Sequence, residues 1–252
     1  TDPETRSKGG TPMSSHVRQL SHSLRTLIRN NPRTIVALMA VVVFLWLMQE
    51  VLEGELTQLD SAAYQLVVVH MRREWLTPVM QSISELALPV VLVVMLLAVE
   101  AFAPGRRPGL CAALNLALAL LLNLALKEIV HRPRPEGFRL IAETGYSFPS
   151  GHSMVAMAFY GLLAWMVWHY ERDHFVKHLC LAGFALVIVA VGLSRIYLGV
   201  HYASDVLAGF CVSLAWLAFY TKVFVPLLLP EPDEGGGRRE GAETHSTTGT
   251  GR

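Results

Sequence analysis

The chain has 252 residues, of which 52% are apolar and only 16% are charged, and its mean hydropathy is +0.40. A soluble domain of this length does not need so much apolar sequence, so the composition predicts a membrane protein. The formal net charge of +1 leaves no basic field that would indicate nucleic-acid binding.

Three cysteines lie inside or beside apolar runs, at Cys111, Cys180 and Cys211. They are well separated and lack the paired spacing of a disulfide framework or a metal site. We therefore expect all three to be small buried apolar side chains. The sequence leads us to expect no metal ion and no other cofactor.

Polar sequence flanks the apolar runs at both ends. Residues 1–33 begin with a Gly-, Pro- and Ser-containing stretch without a Met, which indicates a cloning remnant ahead of Met13. We expect residues 1–33 to form a cytoplasmic N-terminal arm, and we find no signal-peptide cleavage pattern after the first apolar run. Residues 230–252 are rich in Gly, Glu and Thr and are expected to form a disordered cytoplasmic tail.

Apolar runs between these ends predict six membrane spans, since about 20 apolar residues cross a hydrocarbon core. The predicted spans are Thr34–Leu52, Ile83–Ala103, Leu110–Val130, Ser153–Tyr170, Leu179–Leu193 and Val206–Leu229. Pro89 is expected to bend the second span, and the amphipathic segment Leu59–Met71 is expected to lie at the interface without crossing. The predicted fold class is all-α: a polytopic membrane protein whose residues 34–229 form a six-transmembrane-helix bundle, with an interfacial helix after the first span.

The third predicted span carries three polar residues, Asn115, Asn123 and Lys127. Asn123 and Lys127 are four residues apart and Asn115 lies two turns earlier, so the three share one helix face. In a bilayer that face is expected to point into the protein. Hydrogen bonding between helices would account for Asn115, but it accounts less well for Lys127.

Six spans place both termini on the same side of the membrane. The positive-inside rule assigns that side to the cytoplasm from the cationic residues of the arm, two turns and the tail, which include Arg106, Arg107, Arg172, Lys177, Arg238 and Arg239. We expect a multi-pass protein of the inner (plasma) membrane, with loops 53–81, 131–150 and 194–204 facing the periplasm or exterior. Those outer loops nevertheless contain Arg132, Arg134, Arg139 and Arg195. We attribute the positive charge of these loops to a role of the arginines in the chemistry of the protein.

Three polar clusters are brought to the outer face by this topology: Lys127–Pro135, Tyr146–His152 and Ser194–Asp205. If the third cluster is helical, His201 and Asp205 lie one turn apart on the same face. The carboxylate would then accept a hydrogen bond from one ring N–H and leave the other nitrogen as a nucleophile.

Other residues of these clusters suit a phosphate. Arg195 has a guanidinium that matches phosphate oxygens. Ser150 is a candidate helix N-cap, and Gly151 allows an anion to approach the backbone N–H groups of the helix start. His152, in the first turn, can protonate a departing oxygen. Two simpler interpretations stay open: a polar loop with a solvated histidine and a capping aspartate, and a Pro-Ser-Gly helix start that only caps.

The spacing of these residues resembles the three-part signature of the type 2 phosphatidic acid phosphatase superfamily. All its positions are filled in order, by Lys127, Arg134, Pro135, Pro149, Ser150, Gly151, His152, Ser194, Arg195, His201 and Asp205. The spacing selects Arg134 over Arg132 as the arginine that follows Lys127. The resemblance spans about residues 34–229.

The resemblance implies a metal-independent phosphatase with a phosphohistidine intermediate. His201 is then the nucleophile, Asp205 orients it, and His152 is the general acid for the leaving group. The implied phosphate cradle consists of Lys127, Arg134, Ser150, Gly151 and Arg195. The cations among them, Lys127, Arg134 and Arg195, would offset the charge of the transferring phosphoryl group. Neighbours outside the signature are assigned to loop structure or headgroup contacts: His131, Arg132, Arg139, Glu143 and Tyr146.

The expected function is that of an integral-membrane lipid phosphatase, which hydrolyses a lipid phosphate mono- or diphosphate ester at the outer face. The six-span form and the short loop between Pro135 and Pro149 look similar to bacterial enzymes that act on undecaprenyl diphosphate or phosphatidylglycerol phosphate. Lipid A phosphatases and broad lipid phosphate phosphatases are the alternatives, and the sequence does not separate these substrates. The expected partners are the membrane lipid phosphate and the bilayer, with no nucleic acid.

Two other classes of protein would use the same residues. Vanadium haloperoxidases resemble these motifs around bound vanadate, but they are soluble, and six bilayer-length apolar runs argue against that class. A transporter or lipid-binding protein would use the cations to capture a headgroup. Transporter sites tend to lie near the membrane midplane, whereas these charges collect at one face.

Overall fold

The computed structural model describes residues 32–54, 58–102 and 107–229, and these ranges contain helices and connecting segments without a strand. The helices are α1 (Pro32–Leu52), α2 (Gln58–Ala63), a π-helix directly after it (Tyr64–His70), α3 (Leu76–Glu85), α4 (Pro89–Phe102), α5 (Arg107–Val130), α6 (Gly151–Tyr170), α7 (His174–Tyr197), α8 (Ala203–Val223) and α9 (Val225–Leu228). The predicted all-α class is confirmed. Most of the predicted arm, the whole predicted tail and Arg106 lie outside the described residues.

Five of these helices, α1 and α5 to α8, are long and apolar enough to cross a bilayer. Helices α3 and α4 make a sixth candidate span as a pair that is bent by 57°. Pro89 is the first residue of α4, so the bend expected at this proline is confirmed, as a break between two helices. The span begins at Leu76 rather than at Ile83, because the first turns of α3 are helical although they contain the polar residues Thr77, Gln81 and Ser82.

The last two predicted spans have different bounds in the structure. Helix α7 continues to Tyr197, so Arg195, which was expected in a loop, lies in the last turn of a helix. Its side chain is buried among polar partners, which explains why the apolar run ends before the helix does. The sixth predicted span is two helices, since α8 ends at Val223 and Pro226 lies in the first turn of α9, where a proline cannot continue the preceding helix.

Helix α6 lies at the centre of the bundle. It packs against α5, α7 and α8, while α1 packs along α8 and α3 packs against α7. Residues of α6 such as Ala156, Phe159 and Leu162 are completely buried. Large apolar side chains on outer faces, such as Val42 and Leu121, are more than half exposed. Exposed apolar surface of this extent is expected where helices contact lipid.

Polar side chains link the helices inside the bundle. Asn115 of α5 donates to the Ala158 carbonyl of α6 at 2.7 Å and accepts from Trp216 Nε1 of α8 at 2.9 Å. Tyr220 of α8 donates to the Cys111 carbonyl of α5 at 2.7 Å. Such bonds contribute about 0.6 kcal/mol each in a membrane. The predicted interhelical role of Asn115 is confirmed.

The three cysteines are free thiols, but only one of them is buried. Cys111 is enclosed between α5 and its neighbours, whereas Cys180 of α7 and Cys211 of α8 are partly exposed. The expected burial is therefore wrong for two of the three. An apolar run predicts membrane insertion, and it does not tell which residues of the run face other helices.

Candidate active site

The three polar clusters meet at one end of the bundle, where α5 and α7 end and α6 and α8 begin. Backbone hydrogen bonds join the clusters directly. The Ser147 N–H donates to the Arg132 carbonyl at 2.8 Å, and the Ser150 N–H donates to the Asp205 carbonyl at 3.0 Å. Helices of alternating direction bring these four ends to one side, as the sequence predicted.

His201 lies in the short connection between α7 and α8 and is almost fully buried. Its Nδ1 lies 3.3 Å from Ser147 Oγ and 3.5 Å from Asp205 Oδ2, and its Nε2 accepts from Arg134 Nη1 at 3.1 Å. A guanidinium only donates, so Nε2 carries no proton and Nδ1–H faces the carboxylate. Burial lowers the pKa of His201 to about 4, although Asp205 opposes that shift. The imidazole is therefore neutral near pH 7, with a lone pair on Nε2.

The predicted helical pairing of His201 with Asp205 is wrong in one respect. Asp205 lies in the first turn of α8, while His201 precedes that helix. The chain turns at Gly199, which has a φ of +73° and packs so closely that a Cβ would come within 2.6 Å of the Phe138 carbonyl oxygen. The two side chains therefore come together through a turn at a glycine, and not because they are one helical turn apart.

Asp205 is fully buried, and both of its carboxylate oxygens accept hydrogen bonds. Oδ1 accepts from Arg132 Nη1 at 2.6 Å, and Oδ2 accepts from the Tyr202 backbone N–H at 2.8 Å and from the Ser147 hydroxyl. Tyr202 is the N-cap residue of α8, so the capping role considered as an alternative for Asp205 is also present. One side chain combines helix capping with the contact to His201.

The far side of Asp205 is held by Arg132, which the sequence assigned to loop structure or headgroup contacts. The other Nη of Arg132 donates to Asp60 Oδ2 at 2.9 Å, and the guanidinium lies 4.1 Å from the centre of the Tyr202 ring. Burial alone would lower the pKa of Arg132, but the two carboxylates raise it above its usual value. Asp60 belongs to α2 and also accepts from the Ser204 backbone N–H at 2.7 Å. The segment after the first span is thus part of the site.

Arg134 and Arg195 come together around Glu143, a residue of the loop between α5 and α6. Arg195 Nη2 donates to Glu143 Oε1, and Arg134 Nη2 lies 3.7 Å from Oε2 of the same carboxylate. Arg195 Nη1 donates to Ser84 Oγ at 2.6 Å. Its Nε is buried and has no hydrogen-bond partner among the described residues. An unpaired buried donor is unfavourable, so Nε stays available to donate to a further acceptor, such as a phosphate oxygen.

The start of α6 is built from Ser150 and Gly151. Ser150 is the N-cap, and its side chain accepts from the Ser153 backbone N–H at 3.4 Å. At Gly151 a Cβ would lie 3.0 Å from Asn123 Oδ1 of α5. Close packing against Asn123 therefore supplies a reason for glycine here that is separate from the predicted approach of an anion.

His152 and Lys127 belong to the same cluster, from α6 and α5. His152 lies in the first turn of α6, within electrostatic range of Arg195 and Glu143. Lys127 lies in the last turn of α5, within electrostatic range of Arg134 and Glu143. With these two, every residue predicted for the site lies in one cluster at one end of the bundle.

A cavity of about 330 Å³ adjoins the imidazole of His201. Its walls come from α2, the π-helix after it, the loop that follows α5 and the segment around His201: they are Asp60, Ser61, Tyr64, Gln65, Val68, Pro135, Glu136, Phe138, Ile196, His201, Tyr202 and Ala203. A space of this volume is at the lower end of the range for small-molecule sites. None of the predicted cradle residues is among these walls, so the cavity adjoins the imidazole without reaching the phosphate cradle.

Several residues of this cluster were missed by the sequence analysis. Ser147 and Arg132 lie beside signature residues, and this adjacency was a usable signal. Asp60 and Ser84 lie far along the chain from the three clusters, and no local pattern in one sequence connects them with the site. Glu143 was named only as a loop or headgroup residue, whereas its carboxylate binds both arginines.

Comparisons with known proteins identify the family. The model of the PAP2 superfamily matches residues 108–227. Phosphatidylglycerophosphatase B of Bacillus subtilis (strain 168) is 34% identical over 191 aligned residues, and the match covers 73% of this chain and 93% of that protein. The chain therefore belongs to the PAP2 superfamily, as the motifs predicted, and the expected phosphatase class is confirmed with it.

A solved structure and a further relative extend this likeness. The crystal structure of the transmembrane PAP2 type phosphatidylglycerolphosphate phosphatase from Bacillus subtilis has a TM-score of 0.63 and 31% identity, and the match covers 73% of this chain and 94% of that chain. Undecaprenyl-diphosphatase of Sulfolobus acidocaldarius is 27% identical over 124 aligned residues, and the match covers 47% of this chain and 55% of that protein. The expected multi-pass membrane protein is confirmed.

Proposed function

We propose that the chain removes the terminal phosphate of a membrane lipid through a phosphohistidine intermediate at His201, without a metal ion. The observation that carries this proposal is the state of His201, whose Nε2 lone pair lies among buried cations while Nδ1 is backed by Asp205. Attack on a phosphate needs a neutral imidazole in one fixed tautomer, beside groups that offset negative charge. The likeness to phosphatidylglycerophosphatase B supports a lipid as the substrate.

In the first step, the substrate phosphate takes over the N–H donors of Arg134 and Arg195. Arg134 Nη1 binds the Nε2 lone pair in this structure, so the movement of that donor to the phosphate also frees the nucleophile. Nε2 then attacks phosphorus in line, the bond between phosphorus and the leaving oxygen breaks, and His152, which enters this step as the protonated imidazolium, gives its proton to that oxygen. Asp205 stabilises the positive charge on the imidazole.

In the second step, water attacks the phosphorus of phosphohistidine. His152, neutral after the first step, accepts a proton from the water as the P–N bond breaks, and inorganic phosphate leaves. Throughout both steps, Lys127, Arg134 and Arg195 neutralise the equatorial oxygens of the phosphoryl group. His201 returns to the neutral form in which the cycle began.

Among lipids, we favour phosphatidylglycerol phosphate as the substrate. Phosphatidylglycerophosphatase B, of which this chain covers 93%, is named for that lipid. Undecaprenyl diphosphate is the second candidate, on the likeness to an undecaprenyl-diphosphatase. Release of inorganic phosphate from each detergent-solubilised lipid, with phosphatidate as a third substrate, separates these possibilities. Absence of release from all three would contradict the proposed function.

Phosphate release is expected to survive exhaustive chelation by EDTA. The charges that a metal ion would supply come from arginine and lysine in this site, and no group of three or more His, Cys, Asp or Glu in the described ranges could hold a metal ion. Vanadate should inhibit, because its five-coordinate form resembles the in-line transition state. Loss of turnover in EDTA that a divalent ion restores would contradict this mechanism.

The proposed orientation places both termini in the cytoplasm and the site at the periplasmic or exterior face, from the positive-inside rule. A single cysteine at Arg172, in the turn after α6, should be shielded from an impermeant thiol reagent in intact cells. One at Glu136, beside the site, should react. The three natural cysteines are first replaced. Both test positions are exposed in the protein, so a difference in labelling reports on which side of the membrane each position lies. The reverse labelling pattern would put the site in the cytoplasm.

A further inference from the structure

Glu143 is a carboxylate inside a cluster that is proposed to bind an anion. Its Oε1 accepts from Arg195 Nη2, and its Oε2 lies 3.7 Å from Arg134 Nη2. Its side chain is about one quarter exposed, while those of both arginines are almost completely buried. The carboxylate thus reaches from the loop into the guanidinium pair, where the proposed mechanism places phosphate oxygens.

The charge of Glu143 is well defined. Burial would raise the pKa of this carboxyl, but Arg195 and Arg134 hold it below its usual value. It is therefore anionic at neutral pH and competes for the same donors as any phosphate that enters. A side chain attached to the site competes at a high effective concentration.

We propose that Glu143 is a specificity-determining residue, which occupies the phosphate cradle until a terminal phosphate displaces it and which keeps phosphodiester lipids out. This inference rests on the proposed function. A phosphodiester headgroup brings one negative charge to the cradle, as the carboxylate of Glu143 already does. Replacement of the carboxylate by such a headgroup therefore adds little binding energy. A terminal phosphate brings up to about two charges and three acceptor oxygens.

The discrimination depends on which donor each of the three phosphate oxygens would meet. Arg195 Nε is buried and unpartnered among the described residues, and Glu143 engages Nη2 of that guanidinium. Two oxygens of a phosphate can satisfy Nη2 and Nε together in the two-point geometry that guanidinium favours. The third oxygen, which a phosphodiester lacks, is then left for Arg134 Nη2, which also faces Glu143. A bilayer holds phosphodiester lipids in large excess over any phosphatase substrate. Discrimination at this point therefore protects the site from occupation by the bulk lipid.

The test is the inhibition of phosphatidate hydrolysis by phosphatidylglycerol in mixed micelles. For Glu143→Gln, which removes the competing charge and keeps the shape, the inhibition constant for phosphatidylglycerol should fall by on the order of tenfold, the effect of one hydrogen bond to a charged group. KM for phosphatidate should fall as well. Glu128→Gln, at an exposed carboxylate of α5 near the same face, should change neither constant.

A second variant keeps the inference testable if Glu143→Gln does not fold. Glu143→Asp retains the charge on a side chain that is one methylene shorter, and it should give an inhibition constant between those of the native protein and Glu143→Gln. Unchanged inhibition by phosphatidylglycerol, or a higher KM in Glu143→Gln, would overturn the inference, since either result means that Glu143 only positions the arginines. Full activity of His201→Ala would instead overturn the proposed function.

Discussion

Replacement of His201 by alanine is expected to abolish phosphate release, by at least about 10⁴-fold, on every substrate that the protein hydrolyses. Asp205 faces the Nδ1–H of this imidazole, and the lone pair on its Nε2 accepts a hydrogen bond from Arg134 of the proposed phosphate cradle. Release of phosphate from detergent-solubilised lipid measures the loss.

A matched control exists for this substitution. His131 is an exposed histidine in the loop that supplies Arg134, and His131→Ala should leave turnover close to that of the native protein. Asp205→Asn should lose roughly 10²–10⁴-fold, because an amide does not stabilise the imidazolium as a carboxylate does. Activity of His201→Ala near the native level, in a protein that elutes normally from a sizing column, would assign the nucleophile elsewhere.

Replacement of His152 by alanine is expected to separate the two kinds of substrate. A phosphate monoester such as phosphatidate expels an alkoxide, which needs a proton, so the general acid should contribute roughly 10²–10⁴-fold. A diphosphate expels a phosphate group, which is already a stable anion. The loss in kcat should therefore be much larger on phosphatidate than on undecaprenyl diphosphate.

The comparison with His201→Ala makes this prediction specific. The nucleophile is needed whatever group departs, so His201→Ala should lose activity equally on both substrates, while His131→Ala should lose it on neither. Equal losses for His152→Ala on both substrates would mean that this histidine mainly binds phosphate. The role of general acid would then have to be withdrawn.

The sequence predicted the parts of this protein that depend on local pattern. Bilayer-length apolar runs predicted the helical class and the candidate spans, because membrane insertion depends on the summed hydropathy of about 20 residues. The resemblance to the three-part family signature, from Lys127 and Arg134 to His201 and Asp205, predicted which side chains would gather. Ser150 was predicted as an N-cap and is one.

The parts that could not be predicted depend on contacts between distant segments. Asp60 of α2 contacts Arg132 and Ser204 only once the bundle has formed. No periodicity in the sequence of these segments predicts the contacts. Helix α7 ends later than its apolar run because Arg195 is buried among Ser84 and Glu143. Tertiary partners compensate the charge of an arginine inside the protein, and a hydropathy pattern does not include them.

The most direct test of the phosphohistidine is to trap it. The protein is mixed for milliseconds with a lipid substrate that carries radioactive terminal phosphate, quenched in alkali, where the P–N bond survives, and digested for peptide mapping. We predict acid-labile label on the peptide that contains His201, its loss in His201→Ala, and its retention in His131→Ala. Rapid phosphate release from the native protein with no label on any histidine would mean direct attack by water and would contradict the proposed mechanism.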